Sequence, residues 1–275
     1  MTFTYKNWEN FCKKLSDANM RSIPAKEVFG YEGKYIVLKH DVETKVKRAF
    51  KIAQIESKHG HKGSYYVQAY LLKGEKSVRM LQKMQEMGHE ITYHYDVLDS
   101  NKGDFENAEQ EYLKNVKLFE SNGFNVETVC QHGNPIVERV GYTSNRDFFR
   151  NEKIAQKYSN HSDIMVNFPQ KASTNYKYYS DAGRKFKWIY DPFFNDVINS
   201  DDKNVMFNNL NELMSDIGEN NAIVSIHPHR WCGGAVGFVA KTTIFKVVKF
   251  FAKLLIKIPF MKKFFSKHYD LAKKI

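Results

Sequence analysis

Four apolar runs of this 275-residue chain end in histidines or carboxylates. His40, Asp41 and Glu43 follow "YIVL", His94 and Asp96 close "EITYHYD", His132 closes "VETVCQH", and His227 and His229 close "AIVSIHPH". Imidazole nitrogens and carboxylate oxygens are the donors that a divalent ion such as zinc takes at about 2 Å, and a catalytic site keeps one position open for water. Such an ion acidifies water and polarises a carbonyl, while a nearby carboxylate removes a proton. A separate histidine can then protonate a leaving group. A lone strand-end histidine is commonly a hydrogen-bonded loop residue. Four such ends carry chemistry only if the fold brings them together.

The elements needed to do that are visible as alternating periods. "YIVLKHD" reads as a strand, and Val46, Ala49, Phe50, Ala53 and Ile55 then form a helical stripe closed by Gly60. "SYYVQAYL" reads as a second strand, followed by a helix through Val78, Leu81 and Met84 that ends at Gly88. "HEITYHYDV" is the third strand and "FENAEQEYLKNVKLFESNG" the third helix, and "VETVCQHG", "DIMVNFP", "FKWIYDP" and "AIVSIHPH" are further strand candidates. Repeated strand–helix alternation predicts a parallel sheet with helices packed outside it. Roughly seven repeats suit an α/β barrel, closed or nearly closed, with an open doubly wound sheet as the alternative. In either, the carboxyl ends of parallel strands share one side, so residues distant in sequence converge there. Neither GxGxxG after the first strand nor a GxxxxGK[ST] phosphate loop occurs, and "WCGGAVG" at 231–237 reads as a loop.

Composition narrows the class. Apolar residues make up 42% and charged residues 27% with no Pro/Gly/Ser-rich linker, which reads as globular. The amino-terminal stretch mixes acids and bases without the apolar run of a signal peptide, so export is not expected. Cys12, Cys130 and Cys232 are widely spaced, which favours neither a disulfide framework nor a cysteine zinc site and fits a reducing cytoplasm. The net charge of +11 is concentrated in residues 241–275, which hold ten lysines, no arginine and the single acid Asp270. The rest of the chain is nearly neutral, which argues against nucleic acid as a partner.

The ordered segments "LKHDVE", "GHEITYHYD", "CQHGNP", "SDAGRKFKW" and "SIHPHRW" resemble the polysaccharide deacetylase superfamily (carbohydrate esterase family 4, chitooligosaccharide deacetylase-like), in its branch with an HDVD-type first motif. The similarity spans about residues 35 to 232. It implies a distorted (β/α)7-type barrel over residues 1–236 that removes an acetyl group from an N-acetylated sugar with the help of a divalent metal, zinc first and cobalt or nickel as alternatives. Position by position, Asp41 matches the general base, Glu43 a metal-binding carboxylate, His94 the first metal-binding histidine and His227 the general acid. Asp181 and Arg184 resemble the polar pair that orients base or substrate, and His229 and Trp231, beside His227, are assigned to the substrate side. His40 is read as structural. Two positions depart from the family pattern: Glu43 is one methylene longer than the usual Asp, and the second metal histidine, four residues after His94, falls on Leu98. His132 is assigned as the replacement ligand. The substrate class implied is a sugar of surface polysaccharide or glycolipid synthesis, lipid-linked or not. The alternative implied by the two departures is a carbohydrate-binding relative without catalysis.

Residues 237–275 read as a separate basic, amphipathic helical tail. Lys246, Lys249, Lys253 and Lys257 form one helical stripe with apolar residues between them, Pro259 interrupts, and Lys262, Lys263 and Lys267 lie opposite Phe260, Phe264 and Leu271. The lysines prevent a spanning helix, which needs about 20 largely uncharged residues. The pattern predicts a helix lying on an anionic membrane surface, and so a cytoplasmic protein peripheral to the inner face of the membrane.

Overall fold

Strands buried at every position and 3.6-residue helical stripes generate an α/β architecture. The computed structural model describes residues 2–133, 137, 139–172, 175–182, 186–191, 196–197 and 206–244. In chain order the elements are α1 (Tyr5–Asp17), β1 (Ile36–Val42), α2 (Val46–Lys58), β2 (Gly63–Val67), α3 (Glu75–Glu86), β3 (Glu90–Tyr95), α4 (Val97–Ser100), α5 (Phe105–Ser121), β4 (Thr128–Gln131), α6 (Asp147–Arg150), α7 (Glu152–Lys157), β5 (Ser162–Asp163), α8 (Phe168–Ala172), β6 (Tyr176–Ser180), β7 (Phe186–Asp191), β8 (Asp196–Val197), β9 (Met206–Phe207), α9 (Leu210–Ile217) and β10 (Asn221–Ile226). A further helix runs over residues 235–244. The glycines that close the first three predicted helices, Gly60, Gly88 and Gly123, all have positive φ, as a left-handed helix end requires.

The sheet runs in the order β5-β4-β3-β2-β1-β10-β6-β7-β8, with β9 paired to β7. From β5 to β6 every pairing is parallel, which makes seven parallel strands. The pairings of β7 are antiparallel. The α/β class and the parallel sheet are therefore as expected. A closed barrel is not: among the described residues β5 and β6 share no ladder, and the path is open. The sheet is nonetheless strongly curved. Laid flat, six intervals of about 4.8 Å would hold β5 and β6 about 29 Å apart, yet the Tyr176 hydroxyl at the start of β6 donates to the carbonyl of Ile164, just past β5, at 3.4 Å. Ladder closure fails for a local reason: β5 has only two residues, because the chain turns out of it at once.

That turn corrects the reading of "DIMVNFP" as a strand. Asp163 Oδ1 accepts from the Met165 N–H at 2.7 Å, Asn167 Oδ1 accepts from the Asp163 N–H at 2.7 Å, and α8 follows. "SYYVQAYL" is likewise a strand only to Val67, with Ala69–Lys73 forming a 3-10 helix. The loop assignment of "WCGGAVG" holds only to Gly234, since residues from 235 onward are helical.

Alternation along each strand separates two apolar layers. On β1, Ile36, Leu38 and Val42 join the large cluster beneath the helices, whereas Val37 joins Tyr66, Cys130, Ile164, Tyr176, Tyr178 and Ile223 on the other face. His40 falls on the helix side. It is fully buried, stacks on Tyr65 at 4.1 Å and stands 2.9 Å from Glu56 Oε1. Glu56 also accepts from Trp8 Nε1 at 3.0 Å and the Tyr65 hydroxyl at 2.7 Å, which ties α1 and α2 to the back of β1 and β2. His40 is thus part of the frame behind the strand end. Among the described residues no helix is long and apolar enough to cross a membrane.

Candidate metal centre

The carboxyl ends of the parallel strands gather the residues that the sequence singles out. Asp41 is the penultimate residue of β1 and Glu43 follows that strand, His94 lies near the end of β3, His132 follows β4, Asp181 follows β6 and His227 follows β10. Glu43, His94 and His132 bring one ligand atom each to within 4.8 Å of one another. Asp41, His94 and Cys130 form a second such group. His229, past the end of β10, adds a fourth imidazole.

Glu43 lies at the centre. His132 Nε2 stands 3.4 Å from its Oε1, His227 Nε2 3.7 Å from the same oxygen, and His229 Nδ1 3.6 Å from Oε2. Burial works against ionisation of Glu43, but the surrounding histidines outweigh it and hold the carboxyl well below the usual range. Burial lowers His94 to about 4 and His229 to about 4 as well, so both rings are neutral near pH 7 and keep a lone pair for an ion. His94 Nδ1 lies 3.0 Å from the Cys130 carbonyl, which fixes the proton there and leaves Nε2 as the donor atom.

Two other carboxylates are neutralised by fixed cations. Lys39, two residues before Asp41 and on the same face of β1, is 1% exposed and ion-paired with Asp41 Oδ1, with the Ser225 hydroxyl 3.3 Å from its ammonium. Burial alone would raise the Asp41 carboxyl, yet Lys39, His94 and His227 bring it down to about 2. Asp181 is fully buried and accepts from His227 Nδ1 at 2.6 Å, Arg230 at 3.0 Å and Trp231 Nε1 at 3.1 Å. Among the described residues Glu43 is the one carboxylate of the three with no lysine or arginine against it. A buried anion flanked only by imidazoles is a poor arrangement by itself and a good one around a dication. The donor set of Glu43, His94 and His132 therefore fits a divalent metal.

The support beneath His132 accounts for Leu98. Leu98 is fully buried in the helix-side core and offers no ligand. Its backbone N–H and that of Asp99 donate to Asn145 Oδ1 at 3.1 and 2.9 Å, and Asn145 Nδ2 donates to the His132 carbonyl at 2.8 Å. Arg139 clamps Asp99 through two 2.8 Å bonds. Leu98 and Asp99 of α4 thus anchor His132 through Asn145.

Protein-family models and curated proteins were both compared with the chain, and neither comparison found a match.

Two assignments shift with the geometry, and a third falls outside the described residues. Trp231 lies 5.1 Å from Phe3 in a stacked pair and 5.1 Å from Trp8 edge-on, and its one polar atom, Nε1, donates to Asp181 at 3.1 Å, so it supports Asp181. Asp181 has both oxygens engaged by His227, Arg230 and Trp231, and so fixes the His227 ring. Arg184 lies outside the described residues, and the cation found beside Asp181 is Arg230. The tyrosines of "SYYV" and "YKYYS" are buried core residues. Lys39 and Arg230 carry no assignment from the sequence. Lys39 had one visible signal, a charge on the inward face of an apolar run, in step with Asp41.

Proposed function

We propose that this protein is a metal-dependent N-deacetylase of the polysaccharide deacetylase kind, built on a distorted (β/α)7-type barrel and acting on an N-acetylated sugar of surface polysaccharide or glycolipid synthesis. The observation that carries the reading is the convergence of Glu43, His94 and His132 beside Asp41 and the His227–Asp181 pair. The three would hold zinc, or cobalt or nickel in its place. When bound, the ion would supply Lewis acidity toward water and toward the acyl oxygen.

The chain's own residues supply the proton path. Lys39 fixes Oδ1 of Asp41, leaving Oδ2 facing His227 Nε2 at 3.8 Å. Asp41, ionised across the neutral range, takes the proton of the attacking water. His227, with Nδ1 held by Asp181, presents Nε2 to the departing amine and protonates it. Zinc-loaded protein is expected to release acetate from N-acetylglucosamine oligomers or lipid-linked N-acetylhexosamine, and chelation should stop the release. Stoichiometric zinc with no acetate from any acetylated sugar, but with measurable glycan binding, would favour the carbohydrate-binding alternative.

The tail is proposed to hold this site against an anionic membrane surface on the cytoplasmic side. Phe238 packs on Phe3 at 5.5 Å, whereas Val236, Val239 and Ile244 of the same helix are 85%, 58% and 63% exposed. Residues 245–275 lie outside the described part, and their contribution rests on the lysine spacing. Deleting 245–275, which spares Phe238, should move the protein from the membrane to the soluble fraction. An unchanged distribution would contradict the placement.

A further inference from the structure

A carboxamide buried among the strand ends has no hydrogen-bond partner among the described residues. Gln68 follows β2 with extended backbone, φ −65° and ψ 129°, so strand alternation continues through it. Tyr66 faces the inner layer and Val67 the helices, which returns Gln68 to the inner, site-bearing face. Val67 is paired with Val42 on β1 and with Tyr93 on β3, and the Gln68 N–H donates to the Val42 carbonyl at 3.2 Å. One residue further on, Gln68 therefore lies between Glu43 and His94, with a neighbouring strand about 4.8 Å away on each side. It is 1% exposed, and neither Nε2 nor Oε1 has a hydrogen-bond partner among the described residues.

Leaving a buried amide unmade is unfavourable, and a Met or Leu would fill the same place without that cost. Lys39 holds Asp41 Oδ1, both oxygens of Asp181 are engaged, and the Cys130 carbonyl holds His94 Nδ1. Gln68 presents a free donor and a free acceptor into the same space. A group that complements it must accept from Nε2–H and donate to Oε1. An N-acetylated sugar offers an acyl oxygen for the first and N–H or O–H groups for the second.

Resting on the deacetylase reading, we propose that Gln68 is a substrate-contacting residue whose Nε2–H binds the acyl oxygen of the acetyl group. Acetate, the product carrying that acyl group, is the probe. Full-length wild type and Gln68→Met are compared with zinc bound, and the Gln68 side-chain amide signals are identified by their absence from the Met variant. Those signals should shift on adding acetate to wild type. Gln68→Met should bind acetate about 10-fold more weakly, as expected for loss of a hydrogen bond to a charged ligand, with zinc affinity unchanged and thermal unfolding at a higher temperature than wild type. Rising stability with falling acetate affinity is not what loss of a structural residue produces. With zinc bound, unshifted amide signals, equal acetate affinity or lowered stability would overturn the role of Gln68 alone. A more than 10-fold loss of zinc affinity would make it a metal ligand instead. Failure of wild type to bind zinc would overturn the reading of the site as a whole.

Discussion

Replacing His94 by alanine is expected to leave a folded protein with essentially no bound divalent metal. His94 is 2% exposed, its Nδ1 is committed to the Cys130 carbonyl, and it belongs to both groups of converging ligand atoms. Loss of an outer-shell partner alone typically costs 10–100-fold in metal affinity, so loss of a donor shared by every arrangement should cost more than about 100-fold. Elemental analysis after chelator-free purification would read this as a fall from near one zinc per chain to background. His89→Ala is the control. His89 is equally buried but faces the helices, where it accepts from the Gly63 N–H at 3.0 Å. Both variants should lose roughly 1–3 kcal/mol of stability from an orphaned backbone group, yet only His94→Ala should lose metal. Equal zinc in the two would remove His94 from the site.

The second large effect is expected at Asp41. Asp41→Asn should reduce acetate release by about 10²–10⁴-fold, the usual contribution of a positioned general base, while zinc content stays near wild type. The same substitution leaves the Lys39 ammonium, 1% exposed, without its counter-ion. Breaking one side of a buried pair costs about 3–5 kcal/mol, whereas replacing both sides by neutral groups is often close to harmless. Lys39→Met combined with Asp41→Asn should therefore recover most of the stability and none of the turnover. Urea denaturation separates the two effects cleanly. Zinc lost together with activity in Asp41→Asn would instead make Asp41 a ligand, in the group it forms with His94 and Cys130.

Much of the site was legible because parallel strands expose their ends in a regular way. Each chemistry-bearing residue followed an apolar run, so Asp41, Glu43, His94, His132 and His227 could be gathered without coordinates, and His132, not Leu98, is the residue that stands beside Glu43 and His94. Residues whose role depends on a partner in another strand were less accessible. Asp181 looks from its motif like a substrate contact, and only its bonds to His227, Arg230 and Trp231 reveal it as an orienting group. Gln68 sits in "SYYVQAYL" as an unremarked polar residue until the β1–β2–β3 register sets it between Glu43 and His94.

The fold was legible to the same depth. Three helices and their glycine stops lie where the periodicity sets them, since long amphipathic stripes are strong signals. The strand β6 was missed because Tyr and Lys alternate there in a way that resembles an exposed aromatic surface, although Tyr176, Tyr178 and Tyr179 are buried. Barrel closure depends on the length of β5, and a single Asp163 side chain turning the backbone ends that strand after two residues.

Glu43, His94 and His132 are proposed to hold a catalytic metal, and anomalous diffraction from zinc-loaded crystals would locate it. One strong zinc peak is expected about 2.0–2.2 Å from a nitrogen of His94, a nitrogen of His132 and an oxygen of Glu43. A peak bonded to Cys130 and Asp41 in place of Glu43 and His132, or no peak at the strand ends, would contradict it.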